Sequence, residues 1–120
     1  MIEIMSETEN NMLVIKAVDK LTVQDYEDVL IPRLEKLLQE FDKIKGVVYI
    51  SEGFRGWELG AAWDDAKFGM QHRNDFDKIA IIGGAKWIQW ITKIGSYLIS
   101  AEVKIYKQDE FNSAIEWVRK

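Results

Sequence analysis

The spacing of apolar residues changes period several times along the chain, and each change predicts an element. Ile2 and Ile4 flank Glu3, and Met12-Leu13-Val14-Ile15-Lys16-Ala17-Val18 is rich in β-branched residues. The polar Glu7-Thr8-Glu9-Asn10-Asn11 separates the two runs, so they predict an N-terminal β-hairpin. From Val23 the period becomes helical: Val23, Tyr26, Val29, Leu30, Leu34, Leu37, Leu38 and Phe41 share one side, with Thr22 placed to cap the first turn. Pro32 has no N–H to donate, so the helix must bend or restart there. Gly46-Val47-Val48-Tyr49-Ile50 then reads as a buried strand, followed by the loop Ser51-Glu52-Gly53-Phe54-Arg55-Gly56.

The second half repeats the alternation. A helix is expected over about 57–72, a strand over 78–82, a tight turn at Gly83-Gly84, a helix over about 85–98 and a strand over 100–106. Gln108 or Asp109 opens a terminal helix whose Phe111, Ala114, Ile115 and Val118 share one face. The order ββαβαβαβα, with four helices, predicts one α/β domain over 1–120. Its sheet should be open and mostly parallel, with the hairpin as an antiparallel edge and 47–50 and 78–82 as central strands.

The two helices expected in the second half are apolar over more of their surface than docking on a sheet requires. In the first, Trp57, Ala61 and Phe68 lie on one side, while Leu59, Trp63, Ala66 and Met70 lie nearly opposite. The plain reading is a helix covered on both sides by its own domain. The functional reading is a movable cover from Gly53 to Met70, with Gly53, Gly56, Gly60 and Gly69 easing the hinge and Trp63 turning outward. In the second, Trp87, Ile88, Trp90, Ile91, Ile94, Tyr97 and Leu98 take about half of the circumference, which suits core packing first and an interfacial helix second. Such aromatic concentration favours an apolar site, lined by Phe54, Trp57, Trp63, Phe68, Trp87 and Trp90, over polar chemistry.

Composition narrows the chemistry. The formal net charge of -4 argues against a nucleic-acid binder, and no apolar run reaches the ~18 residues of a membrane span. The acidic start, Met1-Ile2-Glu3-Ile4-Met5-Ser6-Glu7, is unlike a secretory leader, so the expected location is the cytoplasm, with peripheral contact at the inner membrane face. The absence of Cys removes disulfides and thiolate chemistry, and one His leaves little for metal or acid–base work. Asp64, Asp65, His72 and Asp75 read as a solvated helix side and cap before they read as a metal site. Ser51, His72 and Asp75 lack the glycine pattern of a nucleophile elbow, and Gly83-Gly84 reads as a turn before it reads as an anion site. No metal, cofactor or enzymatic activity is therefore expected.

The stretch Gly53-Phe54-Arg55-Gly56-Trp57, then Asp64, Lys67-Phe68-Gly69, His72, Asp75-Phe76 and Lys78-Ile79-Ala80-Ile81-Ile82-Gly83 with Trp87, resembles the SpoIIAA-like group of bacterial proteins within the STAS-type fold. The hairpin, the Pro32 helix and the terminal helix with Phe111 and Trp117 match its layout, so the resemblance covers nearly the whole chain. It implies an open sheet wound as successive βα units, a kinship of shape with CRAL-TRIO lipid-binding domains, and an apolar ligand or membrane association without established enzymatic activity. STAS-type anti-sigma factor antagonists carry an Asp-Ser-Ser-Gly-like phosphorylation motif after the central strand; this chain has Ser51-Glu52-Gly53-Phe54 there, and Glu52 would repel an added phosphate. The expected function is a non-enzymatic module for an apolar small molecule or lipid. The alternative is a regulatory protein-interaction or homodimerisation module.

Overall fold

In the computed structural model, which describes residues 1–57, 75–83 and 101–120, the hairpin forms as β1 (Ile2–Ile4) and β2 (Met12–Ala17), antiparallel with Ile2 opposite Ala17 and Ile4 opposite Ile15. Glu9 and Met12 exchange both backbone hydrogen bonds around Asn10-Asn11, and Asn10 takes the left-handed conformation that this residue type tolerates. Thr22 caps the first helix as its sequence predicts. Its hydroxyl accepts from the Asp25 N–H at 3.1 Å, while the Asp25 carboxylate accepts from the Thr22 N–H and hydroxyl.

The chain then runs through α1 (Val23–Asp25), one π-helical turn (Tyr26–Leu30) and α2 (Ile31–Glu40). Pro32 thus sits in the first turn of a restarted helix, where its missing N–H costs nothing, and the wider turn before it makes room for the ring.

β2 is followed in the sheet by β4 (Ile44–Ile50), β6 (Phe76–Ile82) and β7 (Glu102–Tyr106), giving the five-stranded order β1-β2-β4-β6-β7, parallel except for the hairpin. The mostly parallel α/β sheet with 47–50 and 78–82 at its centre agrees with the sequence reading. Both central strands start earlier than expected, at Ile44 and Phe76, and the last strand starts at Glu102.

Side-chain alternation sorts the rows onto two faces. Leu13, Gly46, Ile79 and Val103 form one row and Ile15, Val48, Ile81 and Ile105 the next, on the face where Leu34, Leu37 and Leu38 of α2 pack. The opposite face carries Val14, Val47 and Ala80 under Ala114, Ile115 and Val118 of α3 (Phe111–Arg119), which a short 3-10 turn (Gln108–Glu110) introduces. The Lys107 N–H donates to the Glu110 carboxylate and closes that turn.

Two features depart from the expected element order. Gly56–Trp57 is a short strand, β5, pairing in parallel with β3 (Lys20–Leu21) as a second sheet. Trp57 is therefore extended backbone and not the first residue of a helix. Gly56, at φ 125°, occupies a backbone region that side chains rarely adopt, and this sets the corner into β5. Among the described residues there are two helical units, the α1–α2 unit and α3. The helices expected over 57–72 and 85–98 fall, beyond Trp57, outside the described residues.

Candidate functional site

On the α2 face, burial falls off toward one edge of the sheet. Leu13 and Ile79 are 4% and 8% exposed, yet Val103 in the same row is 38% exposed; Ile15 and Ile81 are 7% and 6% exposed, yet Ile105 is 41% exposed. The outermost strand thus carries an apolar shelf on this face. Its charged residues, Glu102 and Lys104, alternate with these two and point to the other face.

The α3 face carries different chemistry at the same edge. The Lys78 and Lys104 ammonium groups lie 5.2 and 5.7 Å from the ring centre of Trp117, and Lys104 is also 5.3 Å from that of Tyr106. Lys78 and Lys45 donate to the carbonyls of Trp117 and Arg119, where cations complement the carbonyl end of α3. Further across, Tyr49 and Phe111 meet edge to face at 5.8 Å. The signal that could have placed these lysines is their register with α3, which sequence alone does not contain.

The aromatic set expected to line a ligand site is placed only in part. Phe54 is buried in the core cluster of the α2 face with Ile50, Leu21 and Leu34. Trp57 is placed by its backbone in β5, and Trp63, Phe68, Trp87 and Trp90 lie outside the described residues.

The loop before β5 is tied down. Ser51 N–H donates to the Ala17 carbonyl, Phe54 N–H to that of Ser51 and Arg55 N–H to that of Asp19, while the Arg55 guanidinium pairs with the Asp19 carboxylate. The expected cover from Gly53 to Met70 therefore has residues 54–57 tied to Ser51, Asp19 and β3, because β3 offers a backbone edge that a helix start would leave unpaired. Hydrogen bonding from Arg55 holds the Asp19 carboxyl below the usual carboxylate range, and the same pair raises Arg55. Burial pushes the Asp25 carboxyl up, but the bonds from Thr22 and from the terminal amine outweigh it and leave that group lowered.

The sheet separates the residues of the hydrolase constellation. Asp75 stands at the amino end, its carbonyl accepting from the Ile44 N–H, whereas Ser51 follows the carboxyl end of the seven-residue β4. At about 3.3 Å per residue the two are roughly 20 Å apart and cannot share a reaction. Asp64, Asp65 and His72 lie outside the described residues; among the described residues no group of three or more His, Cys, Asp or Glu is gathered for a metal, and no helix is long and apolar enough to cross a membrane.

At the carboxyl ends of the strands, Gly83 has φ 81°, and a Cβ there would lie 2.8 Å from the Ile50 carbonyl oxygen and 2.7 Å from the Gln108 Cγ. The Gln108 amide donates to that same carbonyl at 2.7 Å. This glycine is required by a tight junction of β4, β6 and the turn into α3, and Gln108, which sequence reading offers only as a helix start, is its clasp.

The profile of the SpoIIAA-like family matches residues 12–119. Among solved structures, the chain is similar to an uncharacterised protein of the DUF3478 family with a SpoIIAA-like fold from Shewanella loihica PV-4. The identity is 34% and the TM-score 0.70, over 98% of this chain and 93% of that one. No curated protein matches. With a family match across almost its whole length and a structural relative of the same fold at this identity, the chain belongs to the SpoIIAA-like family.

Proposed function

We propose that this domain is a non-enzymatic module that binds an apolar, lipid-like ligand, in the cytoplasm or at the inner membrane face. The observation that carries the reading is the exposed apolar shelf of Val103 and Ile105, continuous in row with the buried Ile79 and Ile81. A ligand chain laid along it would stabilise the complex by about 0.8 kcal/mol per CH2 removed from water. The segments that enter β6 and β7 carry Trp63, Phe68, Trp87 and Trp90 in their sequence, which is the aromatic supply such a site needs.

Native mass spectrometry of freshly purified protein tests the reading. A retained apolar molecule, or uptake of an added fatty acid that falls in Trp63→Gln and Trp90→Gln, is the expected result. Clean unliganded protein that takes up neither fatty acid nor liposomes would overturn it.

A further inference from the structure

We propose that β7 pairs with β7 of a second copy, antiparallel about a two-fold axis at Val103, and so joins two sheets into one. This goes beyond the ligand reading and stands on the backbone edge.

Among the described residues β7 is the outermost strand. The Gly83 N–H donates to the Tyr106 carbonyl, and Tyr106 is in register with Ile82. In a parallel ladder this means that the even-numbered residues of β7 aim their backbone groups at β6, so Val103 and Ile105 aim theirs away from it. These outward groups are what an added strand needs.

The side chains favour the strand's own copy as the occupant. A two-fold axis perpendicular to the sheet keeps each face continuous, so residues on one face must oppose residues on the same face. Centring the axis at Val103 sets Val103 opposite its own copy as a hydrogen-bonded pair. It also sets Glu102 opposite Lys104 of the partner subunit, twice by symmetry, as non-hydrogen-bonded pairs, the position where side chains approach most closely.

A lone charge on an edge strand repels a second copy; Glu and Lys two residues apart do the reverse. Lys104 is already steered by Trp117 and Tyr106. Centring at Lys104 would oppose it to itself. The other edge, β1, has only Ile2, Glu3 and Ile4, and its two-fold pairing would set Glu3 against Glu3. Val103 and Ile105 stand on the opposite face from the charge pairs, so strand pairing sets the two apolar shelves side by side and leaves that face open to a ligand.

Sedimentation of the full chain from low-micromolar to sub-millimolar concentration tests this, with thermal melting of each variant as the control for folding. Wild type is expected to dimerise. Lys104→Glu should raise the dissociation constant by about tenfold or more, because two attractive pairs become repulsive, and the double variant Glu102→Lys with Lys104→Glu should recover the dimer. Val103→Pro, which removes an outward N–H and none that faces β6, should also yield a folded monomer. A wild type that stays monomeric throughout, with or without a bound apolar molecule, overturns the proposal. So does a dimer indifferent to Lys104→Glu. Because fatty-acid uptake is read separately on the same samples, loss of the dimer and failure of ligand binding are distinguishable.

Discussion

The two faces of the sheet use the same strands and are finished in opposite ways. On the α3 face the rows are closed from β2 to β6, where Val14, Val47 and Ala80 are fully buried under Ala114 and Val118, and at the exposed edge strand Lys78, Lys104 and Tyr106 gather around Trp117. On the α2 face the rows start equally dry at Leu13 and Ile15 but end in Val103 and Ile105, apolar and exposed. One face ends in amphipathic side chains that tolerate water at their tips, the other in aliphatic residues that gain only from a further apolar partner. The α3 face is therefore a finished core as far as β6, while the α2 face at β7 ends in exposed aliphatic side chains.

That contrast can be broken by substitution. The largest effect is expected at Leu34, the fully buried residue of α2, where Leu34→Ala should cost about 2–5 kcal/mol in denaturant unfolding. Next is the junction shared by both faces. Gly83→Ala places a Cβ against the Ile50 carbonyl at a positive φ and should cost roughly 2–3 kcal/mol, far beyond an ordinary surface glycine.

If the β7 end of the α2 face is a site and not core, Ile105→Ala should cost less than about 1 kcal/mol while reducing fatty-acid uptake; a loss as large as that of Leu34→Ala would place Ile105 in the core. The smallest effect concerns the tethered loop. Asp19 is lowered when folded, so its contribution is present above its unfolded value near 3.9 and is lost as pH falls through the lower folded value. Hydrogen-exchange protection at the β3–β5 pairing, taken relative to the intrinsic rate at each pH, should therefore fall in acid for wild type, and Asp19→Asn should flatten that dependence.

The extent to which the sequence could be read follows from how local each cause is. The hairpin, the Thr22 cap, the Pro32 restart and the apolar central strands depend on spacing and on residues within a turn of one another, and they were legible. The β3–β5 pairing depends on Lys20 and Leu21 meeting Gly56 and Trp57 across a long separation, so local spacing ends a loop at Gly56 and starts a helix at Trp57. The β7 shelf was hidden for the same kind of reason: alternation in 100–106 predicts a strand, but only the sheet order makes it an edge and leaves both of its faces exposed. The likeness to the SpoIIAA-like family, carried by the glycine and aromatic pattern after β4, was legible and is matched over residues 12–119.

Methyl-resolved NMR during titration with a saturated fatty acid observes both faces of the sheet in one sample. The methyl signals of Val103 and Ile105 should shift and saturate together, while those of Val14 and Val47, fully buried under α3, stay in place. Saturating ligand that leaves Val103 and Ile105 unmoved, or that moves Val14 and Val47 as much, would contradict a ligand site at β7.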